Sequence, residues 1–216
     1  MKKLKKVLSL VLVLAMVFSF ATTAFAAGTS YADDDQIQNT EAVQVMTGMG
    51  IINGKGDNLF APTDSFLRSE ASKIITYMKL GPAAAEALTG TTTAYTDVPA
   101  DAWFAPFVKY ATAQGIIAGN GDGTFEPEID LSREAWLKML LVTIGYDAEE
   151  NGLVNTNDWE TNTMVLAISS GLITAEEAKL EFNRDTAVLY AWKALNQPMA
   201  GQKPVYVVTK NGTEYT

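Results

Sequence analysis

A five-residue motif occurs twice in this 216-residue chain, at a separation of 65 residues. Residues 50–54 read Gly-Ile-Ile-Asn-Gly, and residues 115–119 read Gly-Ile-Ile-Ala-Gly. The same shift superimposes three further pairs, which are Phe60 and Phe125, Pro62 and Pro127, and Arg68 and Arg133. Because the spacing is kept over the whole stretch, the chain is predicted to consist of repeats rather than of one undivided core.

A third and looser copy follows the second at a shift of 56 residues. Residues 171–173 read Gly-Leu-Ile, and the same shift carries Trp103 onto Trp159. Beyond this point the third copy is shorter by five residues, because the glycine-rich loop is missing before Arg184. The third repeat is therefore predicted to be degenerate.

Each unit is predicted to fold as helix, loop and helix. In the second unit, residues 103–114 carry the apolar spacing of an amphipathic helix, and Gly115 ends it. Ser132 is a good N-cap for the second helix, as is Asn183 in the third unit. A single pair of this size cannot bury a core, so that the three units should pack on one another.

The start of the chain has the pattern of a signal peptide. Residues 2–6 contain four lysines, residues 7–20 are apolar apart from two serines, and Ala24-Phe25-Ala26 matches a small-residue cleavage site. The apolar run is shorter than the roughly 20 residues that a membrane-spanning helix needs. The sequence thus predicts export, with cleavage near Ala26.

The chain is acidic and lacks two reactive residue types. Its formal net charge of -9 becomes -13 once the four leader lysines are removed. An acidic surface repels nucleic acid and anionic lipid, so that neither is expected as a partner after cleavage. There is no cysteine and no histidine, which excludes Ser-His-Asp and Cys-His catalysis as well as thiolate and imidazole metal sites. No cofactor, metal or enzymatic activity is predicted.

The predicted organisation has six segments. Residues 199–216 contain an alternating run, 205–208, followed by Asn211-Gly212, a pattern typical of a β-hairpin or of the start of a further β domain. The segments are a signal peptide at 1–26, repeat 1 at 27–82, a connector at 83–94, repeat 2 at 95–148, repeat 3 at 149–198, and this tail.

The second unit resembles the S-layer-homology domain family. It carries Tyr-Thr-Asp-Val at 95–98, Trp103, the motif at 115–119, Gly-Asp-Gly-Thr-Phe-Glu-Pro at 121–127, and Leu-Ser-Arg-Glu at 131–134. The resemblance covers roughly residues 31–197. It has gaps, because the first unit has Gln38 in place of the tryptophan and Gly56-Asp57-Asn58 in place of Gly-Asp-Gly, and the third unit lacks the glycine loop.

The resemblance implies a mainly α fold of three repeats packed as a pseudo-threefold bundle, to which the pattern of the tail adds a short C-terminal β-hairpin. It further implies inter-repeat grooves that bind secondary cell-wall polysaccharide, often pyruvylated. Arg133 is then the strongest expected contact, because a guanidinium binds a carboxylate through two hydrogen bonds. Arg68 and Arg184 are its weaker equivalents. The other implied site residues are Asp97, Trp103, Trp159, Gly121, Asp122, Gly123, Gly56 and Asp57.

Alternatives remain open for these residues and for the function. The arginines could form internal salt bridges, the tryptophans could be packing residues, and Asp97 could be a cap. An EF-hand calcium loop is disfavoured, because it would place Ala118 and Ile129 at ligand positions. The predicted function is non-covalent anchoring to the cell wall. The alternatives are an S-layer lattice subunit and, less favoured, a fragment of a surface glycoside hydrolase.

Overall fold

The computed structural model describes residues 31–90, 92–201, 208–210 and 213–215, so that the predicted signal peptide lies outside the described residues. Within these ranges the chain is mainly α-helical, as predicted. The helices are α1 (Thr40–Gly48), α2 (Arg68–Leu80), α3 (Pro82–Glu86), α4 (Ala105–Ala113), α5 (Arg133–Thr143), α6 (Trp159–Ser169) and α7 (Arg184–Leu195). None of these helices is both long and apolar enough to cross a membrane.

Three helix pairs follow one another along the chain, namely α1 with α2, α4 with α5, and α6 with α7. The second helix of each pair packs against the first helix of the next pair. Helix α2 packs on α4, α5 packs on α6, and α7 packs back on α1. Helix α5 also contacts α2 and α7. The three pairs therefore close into a ring with the second helices inside.

The inner helices begin where the sequence places their caps. The side chain of Ser132 accepts a hydrogen bond from the amide of Ala135, and Asn183 accepts one from the amide of Thr186. These two predictions are confirmed. In α2 the same task falls to Glu70, whose carboxylate accepts from the amide of Leu67 at 3.0 Å. Each capped start fixes the direction in which the adjacent arginine leaves its helix.

The core lies between the inner helices. The indole of Trp136 is fully buried, and its Nε1 donates to the carbonyl of Ala187 at 3.0 Å. Its ring meets Phe66 edge to face, with centroids 5.0 Å apart. Burying a side chain of this size contributes about 2 to 3 kcal/mol. The centre thus holds residues from all three units together.

Two local differences from the predicted elements have simple causes. Helix α4 begins at Ala105 rather than at Trp103, because Pro106 occupies its first turn, where a missing amide proton costs nothing. The predicted connector overlaps a short helix, α3. Gly81, at φ 76°, ends α2, and Pro82 then starts α3.

Two short strands, β1 (Val208–Lys210) and β2 (Thr213–Tyr215), pair antiparallel near the C terminus. Val208 lies opposite Tyr215, and Lys210 opposite Thr213. Residues 205–207 and the Asn211-Gly212 turn lie outside the described residues. The hairpin as a whole therefore stays a prediction, as do the six segment boundaries.

A carboxylate holds the loop of the second unit in place. The two oxygens of Asp97 accept hydrogen bonds from the amides of Phe125 and Glu126, at 2.8 and 2.7 Å. Glu126 has φ 58°, a left-handed conformation that residues other than glycine rarely adopt. The contact with Asp97 offsets part of that conformational cost. Asp97 thus has a structural task in the loop.

The first unit repeats this arrangement with Asp33, which the sequence comparison had not singled out. Its oxygens accept from the amides of Phe60 and Ala61, at 2.9 and 2.7 Å, and Ala61 also has φ 58°. Burial acts to raise the pKa of Asp33, but the two amide hydrogen bonds outweigh it, so that the pKa is lowered. Asp33 therefore stabilises the fold in its ionised form.

We expect Asp33→Ala to lower the free energy of unfolding by about 3 kcal/mol, because it removes two charge-assisted hydrogen bonds and leaves a buried amide unpaired. Urea denaturation at pH 7 measures this loss. Because folding lowers the pKa of Asp33, its contribution is complete above the ordinary value of 3.8 and is lost as the pH falls through the lower folded value. The gap between wild type and variant should therefore close in acid.

The control is Asp35→Ala, which removes an exposed carboxylate in the same segment. It should leave the urea midpoint within experimental error of wild type. A loss for Asp35→Ala as large as that for Asp33→Ala would mean that the loop amides do not account for the effect.

Candidate functional site

The arginines at the starts of the inner helices reach across to the next unit. Arg68 donates through Nη2 to the carbonyl of Ala118, in the motif of the second unit. Arg184 donates through Nη2 to the carbonyl of Asn53, the equivalent position in the first unit, at 2.8 Å. The repeated motif is therefore an acceptor for an arginine from the preceding unit in the ring.

Aromatic and backbone contacts repeat along the same two seams. The guanidinium carbon of Arg68 lies 4.7 Å from the ring centroid of Phe125, and that of Arg184 lies 5.1 Å from Phe60. The amide of Arg184 donates to the carbonyl of Asp64 at 2.9 Å. The amide of Arg68 donates to the equivalent carbonyl of the second unit at 3.2 Å. The two seams are thus built in the same way.

The third seam differs because the third unit has the shorter loop. Arg133 donates through Nη1 to the carbonyl of Ala178 at 2.7 Å and through Nη2 to that of Leu180. Both acceptors lie at or beside the 3-10 helix Glu177–Lys179, which replaces the glycine loop. Arg133 therefore lies in a seam, with both Nη atoms directed at backbone carbonyls and, among the described residues, no hydrogen-bond partner for its buried Nε.

The first groove lies beside the motif of the first unit and has a volume of about 240 Å³. Lys73 enters it from α2, Trp103 from the start of the second unit, and Arg184 from the third unit. The other lining residues are Ile51, Ile52, Asn53, Gly54, Lys55, Glu70 and Ile74. Each of the three units thus contributes a wall.

The second groove has the same tryptophan, lysine and arginine, advanced by one unit, and a volume of about 530 Å³. Lys138 takes the place of Lys73, Trp159 that of Trp103, and Arg68 that of Arg184. The remaining walls include residues 115–120 of the motif together with Ala135, Met139, Val142, Ala148, Leu153, Val154 and Asn155. The two grooves are therefore equivalent by repeat symmetry.

The third position in the ring lacks these groups. A shallower hollow there is lined by residues 38–42 with Leu189 and Trp192. Gln38 stands where the other grooves have a tryptophan, and Leu189 where they have a lysine. Arg133 lines neither this hollow nor the two grooves. The degeneracy seen in the sequence of the third repeat thus coincides with an altered surface.

In the first groove the arginine is fully engaged. Arg184 is 5% exposed, and its Nε donates to the carbonyl of Phe60 at 3.0 Å, while Nη1 contacts Glu70 at 2.9 Å. Lys55 lies 3.4 Å from the same Glu70 carboxylate and 3.0 Å from that of Asp64. Burial lowers the pKa of Arg184, and the charge of Glu70 counteracts that shift. Glu70 therefore pairs with two of the three cations that line this groove.

In the second groove the equivalent of Glu70 is Ala135. Arg68 is half-buried, and its Nε is buried with no hydrogen-bond partner among the described residues. The ammonium of Lys138 lies 4.3 Å from the ring centroid of Trp159. Burial, and then the charge of Arg68, lower the pKa of Lys138. The described residues that line this groove include two cations and no carboxylate.

The structure brings together four of the residues that the sequence singled out. Arg68 and Trp159 line the second groove, and Arg184 and Trp103 line the first. Trp103 is 53% exposed, which is high for a residue of this size. The seven others, which are Arg133, Asp97, Gly121, Asp122, Gly123, Gly56 and Asp57, lie outside the linings of these two grooves.

The predicted glycine loop is held in its conformation by hydrogen bonds between its own residues. The Oδ1 atom of Asp122 accepts from the amide of Thr124 at 2.9 Å and from its hydroxyl at 2.6 Å. Gly121 and Gly123 have φ 88° and 90°, which glycine adopts at little cost. In the first unit Asp57 has φ 49° in the corresponding loop. These residues position the motif that borders each groove.

Sequence analysis missed the two groove lysines. Lys73 and Lys138 each lie five residues after an arginine that starts an inner helix, and they superimpose under the 65-residue shift. That correspondence was visible in the sequence. However, a lysine in the first two turns of a helix is usually a solvated residue, and only the groove geometry distinguishes these two.

Known proteins with similar sequences agree with this architecture. The family model of the S-layer homology domain matches residues 30–72 and 94–135. A cell surface protein of Thermoanaerobacter kivui is 28% identical over 204 residues, which is 92% of this chain and 26% of that protein. A surface layer protein of Brevibacillus choshinensis is 29% identical over 153 residues, 70% of this chain and 14% of that protein. The chain thus spans about a quarter or less of the length of these relatives.

The helix pairs with shared seams define a helical repeat protein. The family model matches two stretches of this architecture, residues 30–72 and 94–135, to the S-layer homology domain. The predicted location, exported and at the cell surface, is confirmed by the same comparisons. They support a role in wall anchoring or in the surface layer and point to a structural rather than an enzymatic function.

The seam geometry predicts unequal effects for two equivalent arginines. We expect Arg184→Gln to lower the free energy of unfolding by about 3 kcal/mol, because it leaves Glu70 and two carbonyls without their buried partner. Arg68→Gln should cost about 1 kcal/mol, since the described side-chain hydrogen bond of Arg68 is a single one, to Ala118, and the residue is half-exposed. Urea denaturation of both variants at one pH compares them. Equal losses would contradict the assignment of Arg184 as the structurally committed arginine.

Proposed function

We propose that the protein is held non-covalently on the cell wall by secondary wall polysaccharide bound in the first and second grooves. We further propose that the three helix pairs are the three repeats of a pseudo-threefold bundle. The leading role that the sequence suggested for Arg133 belongs, in this proposal, to Arg68. Arg133 is instead a structural residue of the third seam.

One observation carries the proposal: the same tryptophan, lysine and arginine recur in two grooves that are related by repeat symmetry. A merely structural tryptophan would be buried, yet Trp103 is largely exposed. The apolar face of an indole packs against a sugar ring, and lysine and arginine donate to its hydroxyl or acidic oxygens. These are the groups that a polysaccharide site requires.

Two grooves on one chain suit a polymeric ligand. The net charge of -9 works against long-range attraction of an acidic polymer, so that binding must depend on contacts within the grooves. Once one groove is occupied, the second meets the same polymer at a high effective concentration. Two weak sites therefore suffice to retain the protein at the surface.

Sedimentation with isolated walls of the producing organism tests this proposal. We expect Trp103→Ala and Trp159→Ala each to weaken binding about tenfold, which corresponds to about 1.4 kcal/mol of lost stacking. The double variant should remain in the supernatant. Walls stripped of their polysaccharide should not retain the wild-type protein.

Gln38→Ala is the matched control, since Gln38 occupies the tryptophan position at the third hollow. It should pellet like wild type. Equal pelleting of the wild-type protein with native and stripped walls would refute polysaccharide anchoring. Normal pelleting of the double tryptophan variant would refute the assignment to these two grooves.

A lattice role is the second candidate, and an exposed apolar strip on α6 favours it. Val165 is 61% exposed and Ile168 is 38% exposed on one face of that helix, next to Met164. Clustered apolar side chains of this kind often mark protein contacts. If α6 forms lattice contacts, Val165→Ser with Ile168→Ser should abolish concentration-dependent self-association in sedimentation velocity and leave wall binding intact. A wild type that stays monomeric on purified walls would exclude the lattice role.

A further inference from the structure

Helix α6 carries apolar residues on its outer side as well as on its inner side. Ala167 is fully buried against the rest of the ring. On the outer side Met164, Val165 and Ile168 lie on successive turns and line one shallow hollow, and the last two are exposed. A surface helix normally has one apolar stripe, directed at the core. The second stripe of α6 is therefore expected to be covered by a partner.

The other two outer helices are polar at the positions of Val165 and Ile168. Under the repeat shifts of 56 and 65 residues, the equivalents are Lys109 and Thr112 in α4 and Gln44 and Thr47 in α1. The helix pair itself thus forms without an apolar pair at these places. The pair in α6 is a property of the third unit, and the packing within a unit does not account for it.

Two carboxylates line the same hollow. Glu134 lies in the first turn of α5, and Glu160 lies in the first turn of α6. Neither forms an ion pair with a described residue. The hollow therefore combines exposed apolar side chains with unpaired negative charge. This combination fits a partner that brings a cation on a small or apolar surface.

The chain carries such a surface on α4. Among the lysines whose side chains the structure describes, Lys109 alone has no carboxylate, carbonyl or aromatic ring as a partner. It is exposed, and Pro106 and Ala113 lie one turn away on either side. Side chains of this size let a second helix approach closely. The outer face of α4 thus presents an available cation between two small residues.

We infer that the hollow beside α6 binds the outer face of α4 from a second copy of the chain, with Lys109 of that copy at Glu134 and Glu160. This inference rests on the lattice role, the second candidate under the proposed function, and names the two surfaces that would form the contact. Because the two surfaces differ, each bound copy keeps one of them free. The contact can therefore propagate from copy to copy, as a layer requires.

The net charge of the chain makes the position of Lys109 important. At -9, two copies repel each other at most orientations. An orientation that places a lysine against two carboxylates reduces this repulsion, and complementary charges of this kind set the register of an interface. The apolar side chains of α6 then supply the area that is removed from water.

Charge reversal tests the contact. We expect Lys109→Glu to raise the dissociation constant of self-association about tenfold in sedimentation velocity, because it brings three carboxylates together. Glu160→Lys should weaken association as well, because it places two lysines at the contact. An equimolar mixture of the two variants should associate nearly as well as wild type, since the two reversed surfaces then attract each other.

Lys79→Glu is the matched control. It makes the same change of net charge at another exposed lysine, in the last turn of α2, and should associate like wild type. Circular dichroism verifies that each variant is folded. Lys109→Glu should also pellet with isolated walls like wild type, because Lys109 lines neither of the two grooves.

The possible failures are distinguishable. If wild type associates but Lys109→Glu weakens association no more than Lys79→Glu does, the contact between α4 and α6 is refuted and the lattice role stands. Pairing of α6 with itself gives this result. If both reversals weaken association but their mixture does not recover it, the pairing of Lys109 with Glu160 is refuted. If wild type stays monomeric in solution and on walls, the lattice role falls together with this contact, and polysaccharide anchoring is unaffected.

Discussion

Each seam of the ring depends on a guanidinium that crosses from one repeat to the next, and in two of the three seams its acceptor lies in the central motif. The acceptor carbonyls are exposed to the arginine because the motif ends in a tightly packed glycine. A Cβ at Gly54 would lie 2.6 Å from the carbonyl oxygen of Leu59, and one at Gly119 would lie 2.6 Å from that of Thr124. The second glycine therefore lets the loop fold against its own motif. The repeated arginine donates the hydrogen bond across the seam, and the repeated glycine allows the close packing of the loop that holds the acceptor.

The sequence was sufficient to predict the units, the inner helices and their caps, because each depends on local spacing. The composition of the grooves was not predictable from it. Alignment assigns Trp103 and Arg133 to one unit, whereas each groove combines the tryptophan of the next unit with the arginine of the preceding one. This combination of residues from different units arises because the ring closes, and the spacing of residues within one unit does not predict it. Lys73 and Lys138 were visible as an equivalent pair, but only the groove geometry distinguishes them from solvated helix residues.

The third unit shows what the glycine loop contributes. Loss of five residues removes the turn that faces Arg133, and the 3-10 helix Glu177–Lys179 fills the space with carbonyl acceptors. The seam is preserved because its requirement is an acceptor for a guanidinium, which many backbone conformations satisfy. The groove beside it requires specific side chains at set positions, and Gln38 and Leu189 do not supply them. The loss of the glycine loop therefore leaves the packing between the units intact but changes the residues at the surface beside it.

Equivalent arginines have different partners in the two grooves, so that one stabilises the fold more than the other. In the first groove Glu70 satisfies Arg184, which strengthens the joint between the last and the first unit. The second groove lacks that carboxylate, and burial, followed by the charge of Arg68, lowers the pKa of Lys138. Placing two cations together in a partly buried groove costs folding free energy. The equivalent place in the first groove avoids this cost with a carboxylate. Such a local loss of stability is typical of a binding site.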